Sequence, residues 1–202
     1  LVAALAGIEA RVTIVGETGR RANARSLSQL AALGATAGAP LVVEASGRQA
    51  SPAVALVASL AGDNFGDAPT AAGDEPGTSS PPARAPDSAV GRIVRLAGPA
   101  DLGGYVPGDP ATEARRSARA RAAVAHYLAG IAERQPVLAA QLALLDDPEI
   151  TAAVAADLDA GHPAPAAWQR HLAAAAAGLD ALPDAYLRER AQDVRSLARL
   201  IR

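Results

Sequence analysis

The sequence predicts two units of different class, an α+β open-faced sandwich followed by a mainly α-helical bundle. Three observations predict this order. Short β-branched segments alternate with amphipathic helical segments up to residue 66, a segment rich in Pro, Gly and Ser follows, and only helical patterns occur beyond about residue 110. We therefore predict a first unit at 1–66, a flexible linker at 67–87 and a second unit at 88–202.

The overall composition excludes several classes of function. The formal net charge of −2 gives no reason to expect a nucleic-acid partner. The chain has no cysteine, which excludes thiolate catalysis and disulfides, and it has no apolar run long enough to cross a membrane. Half of the residues are hydrophobic but only 2% are aromatic, which favours closely packed helices with small side chains. These features predict a cytoplasmic protein without membrane insertion.

The first unit alternates helices with strands. The segment "RVTIV" at 11–15 is β-branched and alternating, so it predicts a strand. The other predicted elements are a helix tail at 1–6, strands at 20–24 and 41–45, and a helix capped by Ser51 that runs to Gly62 and turns Val54, Val57 and Ala61 inward. Helices on one face of a small antiparallel sheet form an α+β sandwich.

A short capped helix is predicted in the middle of this unit. Ser26 is followed three residues later by Gln29, which is the capping-box pattern, so Ser26 should accept from a first-turn N–H while Gln29 reaches back. A glycine stop is available at Gly34. The predicted apolar face consists of Leu27, Leu30 and Ala31.

The second unit begins with a predicted strand at 89–96, "AVGRIVRL", which belongs to an incomplete α/β domain because it has no partner in the unit. Helices should begin at Asp109-Pro110 and Asp147-Pro148, and a stop falls at 161–163. Short connections imply an antiparallel bundle over about 110–202. The predicted inward positions are Val124, Leu128, Ile131, Leu138, Leu142, Leu145, Ile150, Val154, Leu158, Trp168, Leu172, Ala175, Leu179, Leu187, Ala191, Val194, Ala198 and Ile201.

The chemical inventory is sparse. The three histidines are His126, His162 and His171, and none has metal-ligand spacing or an adjacent catalytic partner in the sequence. We predict surface or boundary positions for all three. The acidic cluster of Asp146, Asp147 and Glu149 lies at a helix start, where it complements the helix dipole or forms a docking patch for a basic partner.

Several segments resemble two proteins of the bacterial phosphoenolpyruvate-dependent phosphotransferase system. The order "ARVTIV", "NARSLSQL", "LVVEASG" resembles HPr, the histidine phosphocarrier. The segments "AVGRIVRL", "LALLDDPEI" and "LPDAYLRERAQDVRSLARLIR" resemble the N-terminal domain of Enzyme I, which phosphorylates HPr. An HPr-like domain followed by an Enzyme I-like domain resembles the multiphosphoryl-transfer proteins, most of all the phosphoryl-donor subunit of the dihydroxyacetone kinase system.

The resemblance implies a phosphotransferase that works through phosphohistidines. The implied partners are HPr, Enzyme I, a IIA domain and dihydroxyacetone kinase subunits. Neither the His-x-Arg-Pro pattern of HPr nor the Gly-Gly-x-x-Ser-His pattern of Enzyme I occurs in the sequence. We therefore expect a fragment that lacks the first HPr strand and both active histidines, with no catalytic residue, metal or cofactor of its own. A full Enzyme I would use Mg²⁺ and phosphoenolpyruvate.

The resemblance also implies two docking surfaces. On the HPr side they are Arg25, Ser26, Leu27 and Leu30, and on the Enzyme I side Glu133, Gln141, Asp146, Asp147 and Glu149. Ser26 is in addition a candidate regulatory phosphosite, because it matches the serine that some bacteria phosphorylate in HPr, although its plain interpretation is a helix cap.

Three other functions remain open at this point. The chain could belong to a fusion with a fructose-type IIA domain and a complete Enzyme I for sugar uptake, it could be a non-catalytic HPr-type regulatory docking module, or it could be a purely structural Ala-rich helical protein. We also expect the two units to fold separately and to share little surface, since the segment between them is long and polar.

Overall fold

The computed structural model describes residues 1–36, 38–63, 65, 104–132 and 138–201. The predicted linker at 67–87 and the predicted strand at 89–96 lie outside the described residues. Within the described ranges, every helix is too short or too polar to cross a bilayer.

The first unit is built on a three-stranded antiparallel sheet. Its strands are β1 (Arg11–Val15), β2 (Arg21–Asn23) and β3 (Val42–Ser46), in the order β2-β1-β3. In this register Thr13 of β1 lies opposite Asn23 on one side and Glu44 on the other. The predicted strands are therefore confirmed, each within one residue or so of its predicted ends.

The core of this unit lies between the sheet and its helices, α1 (Leu27–Ala32) and α2 (Ala50–Gly62), with a single 3₁₀ turn at Ala3–Leu5. The buried residues are Leu5, Val12, Ile14, Ala24, Ala53 and Val57. Alternation along β1 buries Val12 and Ile14 and leaves Arg11 exposed, as a strand with one covered face requires. The predicted α+β sandwich is confirmed.

The predicted start and inward face of α2 were wrong in part. The helix is preceded by Gln49 rather than capped by Ser51, which is exposed within its first turn. Gln49 occupies that place because its Oε1 accepts from the N–H of Glu9, 2.6 Å away, and ties the helix start to the beginning of β1. Ala53 and Val57 face inward, one helical turn apart, while Val54 is 37% exposed.

The second unit consists of packed helices. They are α3 (Pro110–Ala132), α4 (Ala139–Leu145), α5 (Pro148–Asp159), α6 (Ala164–Asp180) and α7 (Ala185–Leu200). The helices α6 and α7 make the most extensive contact among them. The predicted helical bundle is confirmed.

Sequence-predicted caps define where these helices begin. The N–H of Thr112 donates to Asp109, and the N–H groups of Glu149 and Ile150 donate to Asp147. The predicted stop at 161–163 is confirmed, because α5 ends at Asp159 and Gly161 follows it in the left-handed conformation, with φ +85°. Short polar signals therefore set the helix boundaries in this unit.

Most inward positions follow the prediction, but five are only half-buried: Ile131, Leu138, Leu142, Ala175 and Leu187. Ile150, Val154, Leu158, Trp168, Leu172, Leu179, Ala191, Val194, Ala198 and Ile201 are all buried. In α4 the buried residues are Gln141, Leu144 and Leu145, and the predicted Leu142 is only half-buried. The prediction was wrong there because this two-turn helix contacts α1 as well as the bundle, so its covered surface extends around to Gln141.

The two units are joined through α1, which packs against α4, α5 and α6. This differs from the expectation that they share little surface. The reason lies in α1 itself, since its own sheet covers only part of its apolar surface and the bundle covers another part.

Candidate docking site

The junction between the units is built from two helix N-termini that face each other. Ser26 caps α1, its Oγ accepting from the N–H of Gln29 at 3.1 Å. Asp147 caps α5, its Oδ1 accepting from the N–H groups of Glu149 at 3.0 Å and Ile150 at 3.3 Å. The two capping side chains are in contact, because the hydroxyl of Ser26 lies 3.0 Å from both carboxylate oxygens of Asp147.

The carboxylate of Asp147 also accepts from the backbone of α1. The N–H of Ser28, in the first turn of α1, donates to its Oδ2 at 2.8 Å. One carboxylate therefore caps two helices from two different units, and the positive ends of both helix dipoles converge on it. Ser26 is 0% exposed and Asp147 is 1% exposed, so this contact lies away from solvent, where charge-assisted hydrogen bonds are strong.

A second polar contact lies beside the first and corrects the capping-box prediction. Gln29 does reach back, but its Oε1 accepts from the N–H of Asn23 at 2.7 Å, because the N–H of Ser26 already donates to the Asn23 carbonyl. The side-chain amide of Asn23 in turn donates to Glu149 at 3.0 Å. Asn23 thus connects strand β2 to the first turn of α5.

The apolar surface of α1 is divided between the units. Leu27 and Ala31, one turn apart, pack against the core of the bundle. Leu30 and Leu33 pack against the core of the α+β sandwich. The single apolar face predicted for Leu27, Leu30 and Ala31 is therefore two faces, since Leu30 is turned about 60° to one side of Leu27 and Ala31 about 40° to the other at 3.6 residues per turn.

The bundle side of the junction is the surface that we call the docking face, made of Gln141, Leu144, Asp147, Glu149 and Leu182. Between it and α1 lies a cavity of about 190 Å³, which is lined by Leu27 and Ala31 of α1, Gln141 and Leu144 of α4, and residues of α6 and α7. At one edge the backbone of Gly34 comes so close to Leu182 that a Cβ on the glycine would lie 2.9 Å from the leucine Cδ2. The units are packed closely at that point.

Other predicted docking residues lie elsewhere or make other contacts. The guanidinium of Arg25 donates to the carbonyls of Ile8 and Ala10 within the first unit. Asp146 is 74% exposed and lies 3.9 Å from the Arg121 guanidinium. Glu133 is outside the described residues. The docking roles of all nine sequence-predicted residues stay predictions, as does the phosphorylation of Ser26.

One of the three histidines, His171, lies at the edge of this junction, where it lines a surface cavity together with Ser28, Gln29 and Glu149. The ring Nε2 of His171 is 3.0 Å from a carboxylate oxygen of Asp157, which also binds Arg170 at 2.6 Å. His126 and His162 are exposed. Among the residues described here, no group of three or more His, Asp or Glu side chains could hold a metal ion.

Sequence reasoning missed one buried carboxylate. Glu113 of α3 is 1% exposed and accepts from the N–H of Ala164 at 2.7 Å, the N–H of Gly108, the Tyr105 hydroxyl and the Arg116 guanidinium. Burial by itself would raise the pKa of Glu113, but these donors outweigh it and lower the pKa to about 2.

One turn further along α3, buried Ser117 accepts from the Trp168 indole at 2.8 Å. The two polar residues of α3 therefore hold the beginning of α6. A signal was available in the sequence, because Glu113 and Ser117 lie in the same helical stripe as Val124 and Leu128.

The geometry defines a class first: an α+β sandwich that docks through the N-terminus of a short helix onto a helical bundle. Comparison with protein families then gives the identity. Residues 83–190 match the family described as PEP-utilising enzyme, N-terminal, and residues 1–62 match the family described as PTS HPr component phosphorylation site. The chain belongs to the PEP-utilising enzyme family, whose N-terminal domain covers more than half of it, and it combines that domain with an HPr domain.

An HPr–Enzyme I-like fusion is a component of the phosphotransferase phosphoryl relay. The two matched regions carry the two sides of the junction, Ser26 in the HPr domain and Asp147 in the Enzyme I-like domain. Searches of curated proteins and of solved structures returned no significant match.

Proposed function

We propose that this chain is a docking component of the relay that passes phosphoryl groups between Enzyme I, HPr and a IIA domain, with dihydroxyacetone kinase subunits as the final acceptors, and that it works in the cytoplasm. The order of the domains supports this proposal, because an HPr domain preceding an Enzyme I-like domain resembles the multiphosphoryl-transfer donor of that kinase system. The proposal makes the protein part of an enzyme system that carries phosphate on histidine.

The observation that carries the proposal is the junction at Asp147. Relay proteins must dock so that one carrier can reach the next, and here an HPr-type helix N-terminus lies on an Enzyme I-type helix cap with Ser26 and Asp147 in direct contact. We assign Ser26 and Leu27 to the HPr side of docking. Gln141, Asp147 and Glu149 take the corresponding roles on the Enzyme I-like side.

A second candidate function is a docking module that carries no phosphate itself. The junction favours it, because Ser26 and Ser28 of the HPr domain donate to Asp147 in a contact that needs no phosphohistidine. The two candidates predict different results for phosphate acceptance once a His-x-Arg-Pro segment stands ahead of Leu1.

The test is intact-mass spectrometry after incubation with Enzyme I, Mg²⁺ and phosphoenolpyruvate. We expect no phosphate on the chain, because His126 lies within a helix whose neighbouring N–H groups are already bonded and His162 precedes Pro163, which has no N–H. A chain with a His-x-Arg-Pro segment placed ahead of Leu1 should gain one acid-labile phosphate. Phosphate on the unextended chain would contradict the expected location of the active histidines, and none on the extended chain would contradict the relay.

A further inference from the structure

We propose that the HPr domain of this chain occupies the docking face of its own Enzyme I-like domain and excludes a second HPr-type protein from it. This inference rests on the proposed docking function and adds a regulation of that same site. The face would become available only when α1 leaves it.

The first argument is the saturation of the polar groups at the junction. Asp147, 1% exposed, accepts from its own helix and from both the Ser26 hydroxyl and the Ser28 N–H. Glu149 accepts from Asn23. A competing helix could bind these carboxylates only after Ser26, Ser28 and Asn23 had withdrawn.

The second argument is steric. Leu27 and Ala31 lie against the bundle core, and Gly34 approaches Leu182 so closely that a single added carbon would lie at 2.9 Å. The cavity that remains beside α1 is about 190 Å³. An α-helix with its side chains is roughly 10 Å across, so no second helix fits between α1 and the docking face.

The third argument is mass action. Segment 66–103 joins the two domains in one chain, so the HPr domain meets the face as an intramolecular partner, at an effective concentration that does not fall on dilution. A free HPr protein at sufficient dilution cannot match it with the same contacts. Occupation by the chain's own domain is therefore the favoured state.

The fourth argument is that the occupation is reversible. The described cross-domain hydrogen bonds pair a hydroxyl, a backbone N–H and a side-chain amide with the carboxylates of Asp147 and Glu149. These contacts require that residue 26 carries no negative charge, because it lies against the carboxylate of Asp147. One negative charge placed there would face Asp147 directly and open the junction.

The experiment measures binding of a separate single-domain HPr protein to the full chain by calorimetry. Ser26→Asp is the main variant, because aspartate retains the helix-capping ability of serine while it places a carboxylate against Asp147. We expect this variant to bind the probe at least about tenfold more tightly than the unmodified chain, since the open fraction sets the apparent affinity. Ser51→Asp is the matched control, an exposed serine in the first turn of α2, and should bind like the unmodified chain.

A second variant covers the case in which Ser26→Asp fails to fold. Leu27→Ala removes apolar contact with the bundle without adding charge, and it should strengthen probe binding in the same direction. Equal affinity of the unmodified chain and the folded variants would overturn the proposal, and so would the absence of probe binding in all of them. Neither result would affect the mass-spectrometric test of phosphate acceptance, so the two proposals can fail separately.

Discussion

Two buried carboxylates organise this molecule, and they differ in what they join. Glu113 receives all of its donors from the Enzyme I-like domain, and one of them is the cation Arg116. Asp147 receives neutral donors from both domains. Each carboxylate accepts from an N–H group at the N-terminus of a helix other than its own. Glu113 thereby joins two helices of one domain, whereas Asp147 joins helices of two domains.

The comparison teaches that burial alone does not separate a structural carboxylate from an interface carboxylate. Both side chains are about 1% exposed. What differs is the origin of the donors, because donors from the same domain cannot leave without unfolding it, whereas those of α1 can withdraw with their domain intact. The first carboxylate should therefore control stability and the second should control association.

The largest effect is expected from Glu113→Gln. The amide would present N–H groups to a site made only of donors, so the free energy of unfolding should fall by about 2–3 kcal/mol, as for lost charged hydrogen bonds. Urea denaturation followed by circular dichroism measures this. Glu189→Gln, an exposed residue of α7, is the control and should change little.

The pH dependence of stability provides the second check on Glu113. Because its pKa is lowered in the folded state to about 2, the stabilisation is present above the ordinary value of about 4.5 and is lost as the pH falls from there towards 2. The unmodified chain should lose stability through this window and the glutamine variant should lose less. Parallel curves for the two proteins would show that Glu113 does not bind protons as proposed.

A smaller effect is expected from exchanging the residues at positions 26 and 147. Ser26→Asp sets two carboxylates against each other and Asp147→Ser removes the charge, so each should weaken the junction by about 1–2 kcal/mol. The double variant restores one serine and one aspartate, each able to cap its helix, and should recover most of the loss. Hydrogen exchange at the Ser28 amide reports the result, and additive losses in the double variant would argue against direct contact.

The smallest expected effect compares two glycines. Gly34 and Gly38 have φ values of +64° and +83°, so alanine should cost roughly 1–2 kcal/mol of backbone strain at either position. Only at Gly34 would the added carbon also meet Leu182, while nothing lies within 4 Å at Gly38. Thermal unfolding should place Gly34→Ala a few tenths of a kcal/mol below Gly38→Ala. If the difference in stability between the two glycine variants disappears in a Leu182→Ala background, the contact with Leu182 is its cause.

Local signals predicted much of this structure. The caps at Ser26, Asp109 and Asp147 depend on residues two or three positions away, so a reading of the sequence can recognise them. The inward stripes of α5 and α6 follow from helical periodicity in the same way. From these features the fold class and most helix boundaries could be predicted.

Contacts over long distances in the chain could not be predicted in that way. Ser26 and Asp147 are separated by 121 positions, and nothing local to either indicates that they meet. The side chains of α1 pack against two cores, and the second core belongs to the helical bundle, whose position cannot be predicted from helical periodicity. For this reason Leu27 and Leu30 were predicted to lie on one face. Resemblance to HPr and Enzyme I indicated two docking surfaces, but not that one chain would bring them together.

The helix α1 has six residues, and its apolar side chains pack against the cores of two different domains. Because these side chains contact two different domains, their positions should be under two different sets of evolutionary constraints. Substitutions at Leu27 and Ala31 should covary with residues of the helical bundle, and those at Leu30 and Leu33 with residues of the sheet beneath them. Neighbouring positions along one short helix would then diverge among relatives at independent rates.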